Sequence, residues 1–229
     1  MLSIVIPTYN EAENIEELIR TVEGVLERNG IDGEIIVVDD TSPDGTGRIV
    51  ERLTKEYGNL ILVERKEKCG IGAAYKTGFR VARGGVIMEM DADFSHDPED
   101  IPKLYRKIKG GYDVVVGSRY VEGGERKDPI HRRIFPLIGN FLYVKLLGSG
   151  VRDTTAGFRA YRREVLKKVD LDSLPDDFSF QAAILFRLRG AKMTEVPIKF
   201  RERRAGEPKY GFKDLLGNIR VLLSFLFKK

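Results

Sequence analysis

The sequence predicts an α/β fold, an open and mostly parallel twisted sheet with helices on both faces. In the first half of the chain, short runs rich in Val, Ile and Leu alternate with helical patterns, the order expected of strands joined by crossover helices. Each run is almost continuously apolar, as in strands that helices cover on both faces. The predicted strands are residues 3–7, 34–38, 60–64, 86–90 and 113–117.

Amphipathic helices are predicted between these strands. Apolar residues from Ile15 to Leu26 recur at helical spacing and form one apolar face. After the second strand, Ser42 supplies an N-cap, Pro43 the first helical position and Asp44 an acidic first turn. The sequence therefore predicts a second helix that begins at this proline.

The regular alternation ends near Tyr120. Beyond it we expect helices over 134–147 and 178–188, a strand over 193–200 and a terminal helix from residue 212. The 229 residues, 42% of them hydrophobic, can bury one sizeable core. Because no linker interrupts the pattern, a single domain over residues 1–229 is expected.

Composition excludes several classes of site. The net charge is only +4 although 32% of residues are charged, so no polyanion-binding stripe and no nucleic-acid partner are expected. One cysteine, Cys69, and two histidines exclude an intramolecular disulfide and a structural zinc site, which favours a reducing, cytoplasmic location. No signal peptide and no run of eighteen apolar residues is found, so any membrane contact is expected to be peripheral.

Two aspartates, Asp91 and Asp93, follow the predicted strand 86–90 directly. Ligands of open α/β sheets lie beyond the carboxyl ends of the strands, and side chains two residues apart on extended chain point the same way. Paired carboxylates suit Mg²⁺ or Mn²⁺, which completes its shell with water and diphosphate oxygens. Alone, the motif is more typical of a solvated acidic turn than of a metal site.

Polar residues at two further strand ends favour a nucleotide site. Pro7-Thr-Tyr9-Asn-Glu11 follows the first strand and Asp39-Asp40 the second. Together these ends offer an aromatic face for a base, acidic acceptors for base or ribose, and a metal-held diphosphate. Helix capping by Glu11 and strand termination by Pro7 are alternative roles that are compatible with binding.

The same motifs resemble the inverting family 2 glycosyltransferases, in particular the dolichol-phosphate mannose synthase group. The resemblance rests on motifs in matching order over nearly the whole chain. They are Pro7-Thr-Tyr-Asn-Glu11, Val38-Asp-Asp40, Ser42-Pro-Asp44, Met90-Asp-Ala-Asp-Phe-Ser-His96, Gly117-Ser-Arg-Tyr120, Asp153-Thr-Thr-Ala-Gly-Phe-Arg159 and Gly206-Glu-Pro-Lys209. It implies a Rossmann-like nucleotide-diphospho-sugar transferase (GT-A) fold.

Residues that match the family motifs are expected to bind different parts of the sugar donor. Those implied for the nucleoside pocket are Pro7, Tyr9, Glu11, Val38, Asp39 and Asp40. Those implied for the diphosphate and for Mg²⁺ or Mn²⁺ are Asp91, Ala92 and Asp93, with Ser95 nearby. Arg119, Arg203 and Lys209 would bind phosphate groups, for which forked arginine and compact lysine are suited. Asp93, Arg119 and Arg203 are the residues expected to be catalytic.

The resemblance also implies the reaction and its partners. Mannose would pass from GDP-mannose to a polyprenyl phosphate such as dolichyl phosphate, with inversion at the anomeric carbon. A phosphate acceptor is already an anion and needs no general base; Arg132, Arg133 and Arg159 are expected to hold it. Residues 1–119 would bind nucleotide, 120–211 the acceptor, and a helix over 212–229 the cytoplasmic face of a membrane, where a membrane-anchoring partner subunit is also possible.

Alternatives remain at the level of sequence. UDP-glucose is the rival donor, and a hydroxyl acceptor in polysaccharide synthesis, or a binding module without turnover, are the other hypotheses. Two departures from the family pattern fall on the acceptor side. Pro136-Leu-Ile-Gly-Asn140 replaces a segment that usually carries a further cation, and Glu-Pro-Lys at 207–209 replaces Glu-Ser-Lys.

Overall fold

The structure is a computed structural model that describes residues 1–126, 140, 143–145, 148 and 150–204. Arg132, Arg133, Lys209 and the predicted terminal helix over 212–229 lie outside these ranges, so their predicted roles stay predictions. Within the ranges, none of the helices has the length and apolar character needed to span a bilayer.

A seven-stranded mixed sheet forms the centre of the molecule, in the order β3-β2-β1-β4-β7-β5-β8. Its strands are β1 Leu2–Thr8, β2 Gly33–Asp39, β3 Leu60–Glu64, β4 Val86–Glu89, β5 Val114–Ser118, β7 Arg159–Arg162 and β8 Met193–Pro197; β6 Glu125–Arg126 and β9 Lys199–Phe200 pair separately. The predicted α/β class and the first five strands are confirmed. The predicted strand 193–200 is divided into β8 and β9, and β7 was not predicted at all.

Strand β7 runs antiparallel to both of its neighbours, β4 and β5. Every other pairing in the large sheet is parallel. β7 carries arginine at both ends, and this charge conceals it from a search for continuous apolar runs. Its place in the sheet comes from its neighbours and not from its own pattern.

Helices cover both faces of the sheet. They are α1 Ile15–Arg28, α2 Thr46–Leu53, α3 Ile71–Val81, α4 Ile101–Lys109, α5 Arg163–Leu166 and α6 Phe180–Arg187, and residues 140 and 143–145 are also helical. Alternate residues of β1 enter different cores. Ile4 packs in the core that contains α1 and α4, whereas Val5 packs in the core that contains α3 and α6, as the two-residue period of a strand requires.

Helix α2 begins later than predicted. Its N-cap is Gly45, at φ 92°, and its first residue is Thr46. The Ser42 hydroxyl does not cap the helix but donates to Asp39 Oδ1 at 2.6 Å. Asp44 accepts from the backbone N–H of Ala12 at 2.9 Å. The predicted cap residues therefore tie the loop after β2 to the loop after β1.

Chain order reverses at β1, which is the switch point of the sheet. β2 and then β3 lie on one side of β1, and β4 lies on the other. The loops that follow β1 and β4 therefore diverge at the carboxyl edge and leave a crevice between them, where open α/β sheets bind ligands.

Helix α3 lies unusually close to β1 because Gly78 has no side chain. A Cβ added there would overlap the Val5 side chain. We expect Gly78→Ala to lower the free energy of unfolding by about 1–3 kcal/mol, since overpacking outweighs the roughly 1 kcal/mol that alanine gains in a helix. Gly58→Ala, at a position with no atom within 4 Å of an added Cβ, should change it by less than about 1 kcal/mol. Urea unfolding of both variants measures the difference.

Candidate active site

The chain turns sharply where each of three parallel strands ends. Asn10 after β1, Thr41 after β2 and Phe94 after β4 have φ values of 55°, 50° and 59°. Side chains other than glycine avoid this left-handed region unless the surroundings require it. The strand ends thus share an uncommon backbone geometry along one edge of the sheet, around the switch-point crevice.

Asp91 and Asp93 lie at the end of β4, as predicted. The Tyr75 hydroxyl donates to Asp91 Oδ1 at 3.1 Å. The backbone N–H of Ser95 donates to Asp93 Oδ1 at 3.0 Å. The two carboxylates stay accessible, with 30% and 18% of their side-chain surfaces exposed. Each is therefore oriented by the protein on one oxygen and still open toward the crevice.

The electrostatics at Asp91 favour a cation. Burial raises its pKa, and the charges of Asp93 and Glu11 raise it further, against opposing effects of His96 and Tyr75. Burial lowers the pKa of His96. Its Nδ1 accepts the Asp91 backbone N–H at 3.3 Å, so that nitrogen carries no proton in this arrangement. A divalent cation would offset the repulsion among the acidic groups.

The donor set fits a cation that is shared with a ligand. In the part of the chain that the structure describes, no three His, Cys, Asp or Glu side chains form a closed metal cage. Two carboxylates alone leave most of an octahedral shell to water and to phosphate oxygens, which is how Mg²⁺ and Mn²⁺ bind nucleotides. Asp91 and Asp93 would be the protein ligands.

Arg203 lies across the crevice from β4 and joins two acidic residues. Its Nη2 is 3.1 Å from Glu11 Oε1 and 3.9 Å from Asp93 Oδ2. The backbone N–H of Arg204 donates to the Asp93 carbonyl at 3.0 Å. The end of the described chain thus brings a guanidinium beside the Asp91 and Asp93 pair, where the sequence predicted a phosphate ligand.

The predicted nucleoside residues lie at or just after the ends of β1 and β2, but Val38 is fully buried in the core that contains α3. Pro7 and Val38 face each other as partners in β1 and β2. Tyr9 and Asp40 follow these strands, and Asp39 accepts hydrogen bonds from the hydroxyls of Thr8 and Ser42 at 2.7 and 2.6 Å. Asp39 therefore stabilises the loops. Asp40 and the ring of Tyr9 remain the groups suited to contact a nucleoside.

Two cations at this position were missed by the sequence prediction. Arg65 forms a bidentate salt bridge with Asp40, in which Nε and Nη2 donate to the two carboxylate oxygens at 2.7 and 2.9 Å. Lys68 Nζ lies 4.0 Å from the centroid of the Tyr9 ring. Burial raises the pKa of Asp40 even though Arg65 opposes the shift. A basic run directly after the third predicted strand, at the same edge of the sheet, was the signal available in the sequence.

Arg119 is held by a buried partner, which differs from its predicted contact with phosphate. Its Nε and Nη2 each lie 2.7 Å from an oxygen of Asp153, and the two side chains are only 9% and 0% exposed. Burial by itself would raise the pKa of Asp153, but the Arg119 guanidinium holds it below its usual value. This pair joins the end of β5 to the segment before β7.

The structure contradicts the predicted contact between Arg159 and an acceptor phosphate. The side chain is fully buried, and it donates to the carbonyls of Gln181 and Thr154. Its cross-strand partner in β4 is Glu89. Burial raises the pKa of Glu89 to about 7. An arginine that is closed off from solvent cannot reach an external phosphate, so its role is internal.

Comparison with known proteins matches this fold and motif order. The family model for glycosyl transferase family 2 matches residues 3–170. The chain is a family 2 glycosyltransferase. Residues 3–170 include all three strand ends of the crevice with Asp91 and Asp93, whereas Arg203 lies beyond the matched residues. The described sheet has the GT-A architecture.

Several proteins resemble this glycosyltransferase over most of its length. A dolichol-phosphate mannosyltransferase of Pyrococcus furiosus is 38% identical over 96% of the chain, which spans 62% of that relative. A polyprenol monophosphomannose synthase of Mycolicibacterium smegmatis is 41% identical over 90% of the chain and 79% of the relative. An undecaprenyl-phosphate mannosyltransferase of Micrococcus luteus is 38% identical over 90% and 85%.

Solved structures share the fold. A mannosyl-3-phosphoglycerate synthase from Rubrobacter xylanophilus aligns with a TM-score of 0.73 at 20% identity, covering 99% of this chain and 74% of that one. A mannosyltransferase from Pyrobaculum calidifontis in complex with GDP-mannose and Mn²⁺ aligns with a TM-score of 0.65 at 20% identity, covering 100% and 65%. At this identity the likeness supports the architecture alone.

Proposed function

We propose that this glycosyltransferase transfers mannose from GDP-mannose to a polyprenyl phosphate, with inversion at the anomeric carbon and with Mg²⁺ or Mn²⁺ as cofactor. The observation that carries the proposal is the open carboxylate pair of Asp91 and Asp93 at the switch point, with Arg203 beside it. The similar proteins named dolichol-phosphate mannosyltransferase, polyprenol monophosphomannose synthase and undecaprenyl-phosphate mannosyltransferase support the sugar and the acceptor.

The donor would bind with its nucleoside on the side of β1 and β2. Tyr9 offers a ring face, and Asp40, held in place by Arg65, offers acceptor oxygens. Asp91 and Asp93 would hold the cation, which would neutralise charge on the departing diphosphate. Arg203, which now contacts Glu11 and Asp93, would bind the same phosphates in competition with these carboxylates.

The reaction would be a single displacement. A phosphate oxygen of the acceptor attacks the anomeric carbon and forms the new C–O bond. The bond from that carbon to the diphosphate breaks, and its electron pair leaves with the nucleoside diphosphate. Because the acceptor oxygen is already anionic, the protein contributes alignment and charge stabilisation and no general base.

The acceptor side rests on expectations from the sequence. Arg132 and Arg133 remain the candidates for the acceptor phosphate, and Lys209 is a further candidate for a phosphate contact. A lipid-linked acceptor would place the enzyme at the cytoplasmic face of a membrane, with peripheral contact through residues 212–229 and through a membrane-anchoring partner subunit.

A partition assay tests the proposal. The purified chain is incubated with Mn²⁺ or Mg²⁺, a short polyprenyl phosphate, and labelled GDP-mannose or UDP-glucose in parallel. We expect label from GDP-mannose to enter the organic phase and EDTA to abolish the transfer. The matched control replaces the polyprenyl phosphate with the corresponding polyprenol, which offers a hydroxyl instead of an anion.

Each outcome assigns a different reaction. Label from UDP-glucose alone would keep the mechanism and change the donor. Transfer to the polyprenol and not to its phosphate would favour a hydroxyl acceptor. No transfer from either donor, with nucleotide binding intact, would contradict the assignment to a lipid phosphate.

A further inference from the structure

The buried hydroxyl of Tyr75 contacts the Asp91 carboxylate. Tyr75, on the second turn of α3, is fully buried, and its hydroxyl donates to Asp91 Oδ1 at 3.1 Å. Among the residues that the structure describes, only the Tyr75 hydroxyl donates a hydrogen bond to the Asp91 carboxylate. The nearest ring nitrogen, His96 Nδ1, is 3.6 Å from Oδ2 and already accepts the Asp91 backbone N–H.

The backbone of Gly157 lies close to the same carboxylate. A Cβ added at Gly157 would lie 3.2 and 3.3 Å from the two Asp91 oxygens. The carboxylate is thus confined between Gly157 and the Tyr75 hydroxyl. This confinement limits the rotation of the group on which a cation would have to bind.

Tyr75 is itself fixed from the acceptor half of the chain. Its ring stacks on Phe180 with centroids 5.9 Å apart and planes 16° apart. The start of α3 is held by the Asp176 carbonyl, which accepts from the N–H groups of Gly72 and Ala73 at 2.8 and 3.2 Å. Lys76 Nζ donates to the Leu174 carbonyl at 3.0 Å. The position of the hydroxyl is therefore set by packing and does not depend on a mobile surface group.

We propose that Tyr75 is a positioning residue that orients the Asp91 carboxylate for the divalent cation. The inference rests on the proposed metal-dependent function. Groups that hydrogen-bond a metal ligand commonly change metal affinity by about 10–100-fold when they are removed. Because Tyr75 is fully buried and its hydroxyl donates to Asp91, we expect its effect to pass through Asp91.

The test compares two buried tyrosines. Tyr75→Phe removes the hydroxyl that reaches Asp91, whereas Tyr161→Phe removes an equally buried hydroxyl that donates to Glu89 Oε1 at 2.8 Å. Mn²⁺ binding is measured by electron paramagnetic resonance in the presence of GDP, and thermal unfolding is followed for both variants. We expect Tyr75→Phe to weaken Mn²⁺ binding by about tenfold and Tyr161→Phe to leave it unchanged.

Activity at varied Mn²⁺ gives a second readout. For a positioning residue, the half-saturating Mn²⁺ concentration rises while turnover at saturating Mn²⁺ stays near that of the wild type. A loss of turnover at every Mn²⁺ concentration would indicate a purely structural role and overturn the inference.

The remaining outcomes separate the inference from the proposed function. If the wild type binds Mn²⁺, Asp93→Asn abolishes that binding and Tyr75→Phe binds like the wild type, the inference is wrong and the metal site stands. If the wild type binds no Mn²⁺ with GDP, both the metal-dependent function and the inference fail.

Discussion

Asp93→Asn is expected to reduce sugar transfer by about a thousandfold. The substitution keeps the size of the side chain and removes one of two carboxylate charges that would hold the cation against the diphosphate. A metal ion supplies several kcal/mol of charge stabilisation in the transition state, and about 1.4 kcal/mol corresponds to a factor of ten in rate. Initial rates of the partition assay at saturating donor measure the loss.

Glu99→Gln provides the matched control for this substitution. Glu99 lies six residues further along the chain, and its exposed carboxylate pairs with Arg28 at the surface. The same change of charge there should leave transfer within about twofold, because exposed pairs contribute little. If Asp93→Asn retained wild-type rates, or if both variants lost activity equally, the carboxylate pair would not be the catalytic metal site.

Asp153→Asn is expected to lower the free energy of unfolding by about 3–5 kcal/mol at pH 7. The change removes the Asp153 carboxylate from its buried pair with the Arg119 guanidinium, and breaking one side of a buried pair has this order of effect. The pKa of Asp153 is lowered in the folded state, so the stabilisation is present at neutral pH and is lost as pH falls through that lowered pKa. Urea unfolding at pH 7 measures it.

An exposed pair supplies the comparison. Asp172 is 84% exposed and lies 2.5 Å from Arg80, so Asp172→Asn should change the free energy of unfolding by less than about 0.5 kcal/mol. A small effect of Asp153→Asn, together with a large loss of donor binding, would instead show that Arg119 serves mainly as a phosphate ligand, as the sequence predicted.

Much of the fold could be predicted because each of β1 to β5 contains a run of apolar residues, as expected of strands that helices cover. Helix α1 could be predicted because its buried residues recur at helical spacing and form one apolar face. Strand β7 could not be found, because Arg159 and its partner Glu89 place charge inside the sheet. A buried charge is stabilised by contacts distant in sequence, which local patterns do not contain.

The candidate site was predictable where function and strand ends coincide. Asp91, Asp93 and Glu11 each follow a strand that meets the switch point, so topology alone brings them to one edge. Arg203 lies 192 residues from Glu11, and only resemblance to a family could place it there. Arg65 and Tyr75 were missed because one is part of an ordinary basic run and the other of an ordinary apolar helix face.

The position of the bound metal would show directly whether Asp91 and Asp93 form the metal site. Crystals of the chain grown with GDP and Mn²⁺ would be examined by anomalous diffraction at the manganese edge. We predict one strong peak bounded by the carboxylates of Asp91 and Asp93 and by diphosphate oxygens. A nucleotide bound in the crevice with no peak between these two carboxylates, or with a peak elsewhere, would contradict the assignment of Asp91 and Asp93 as metal ligands.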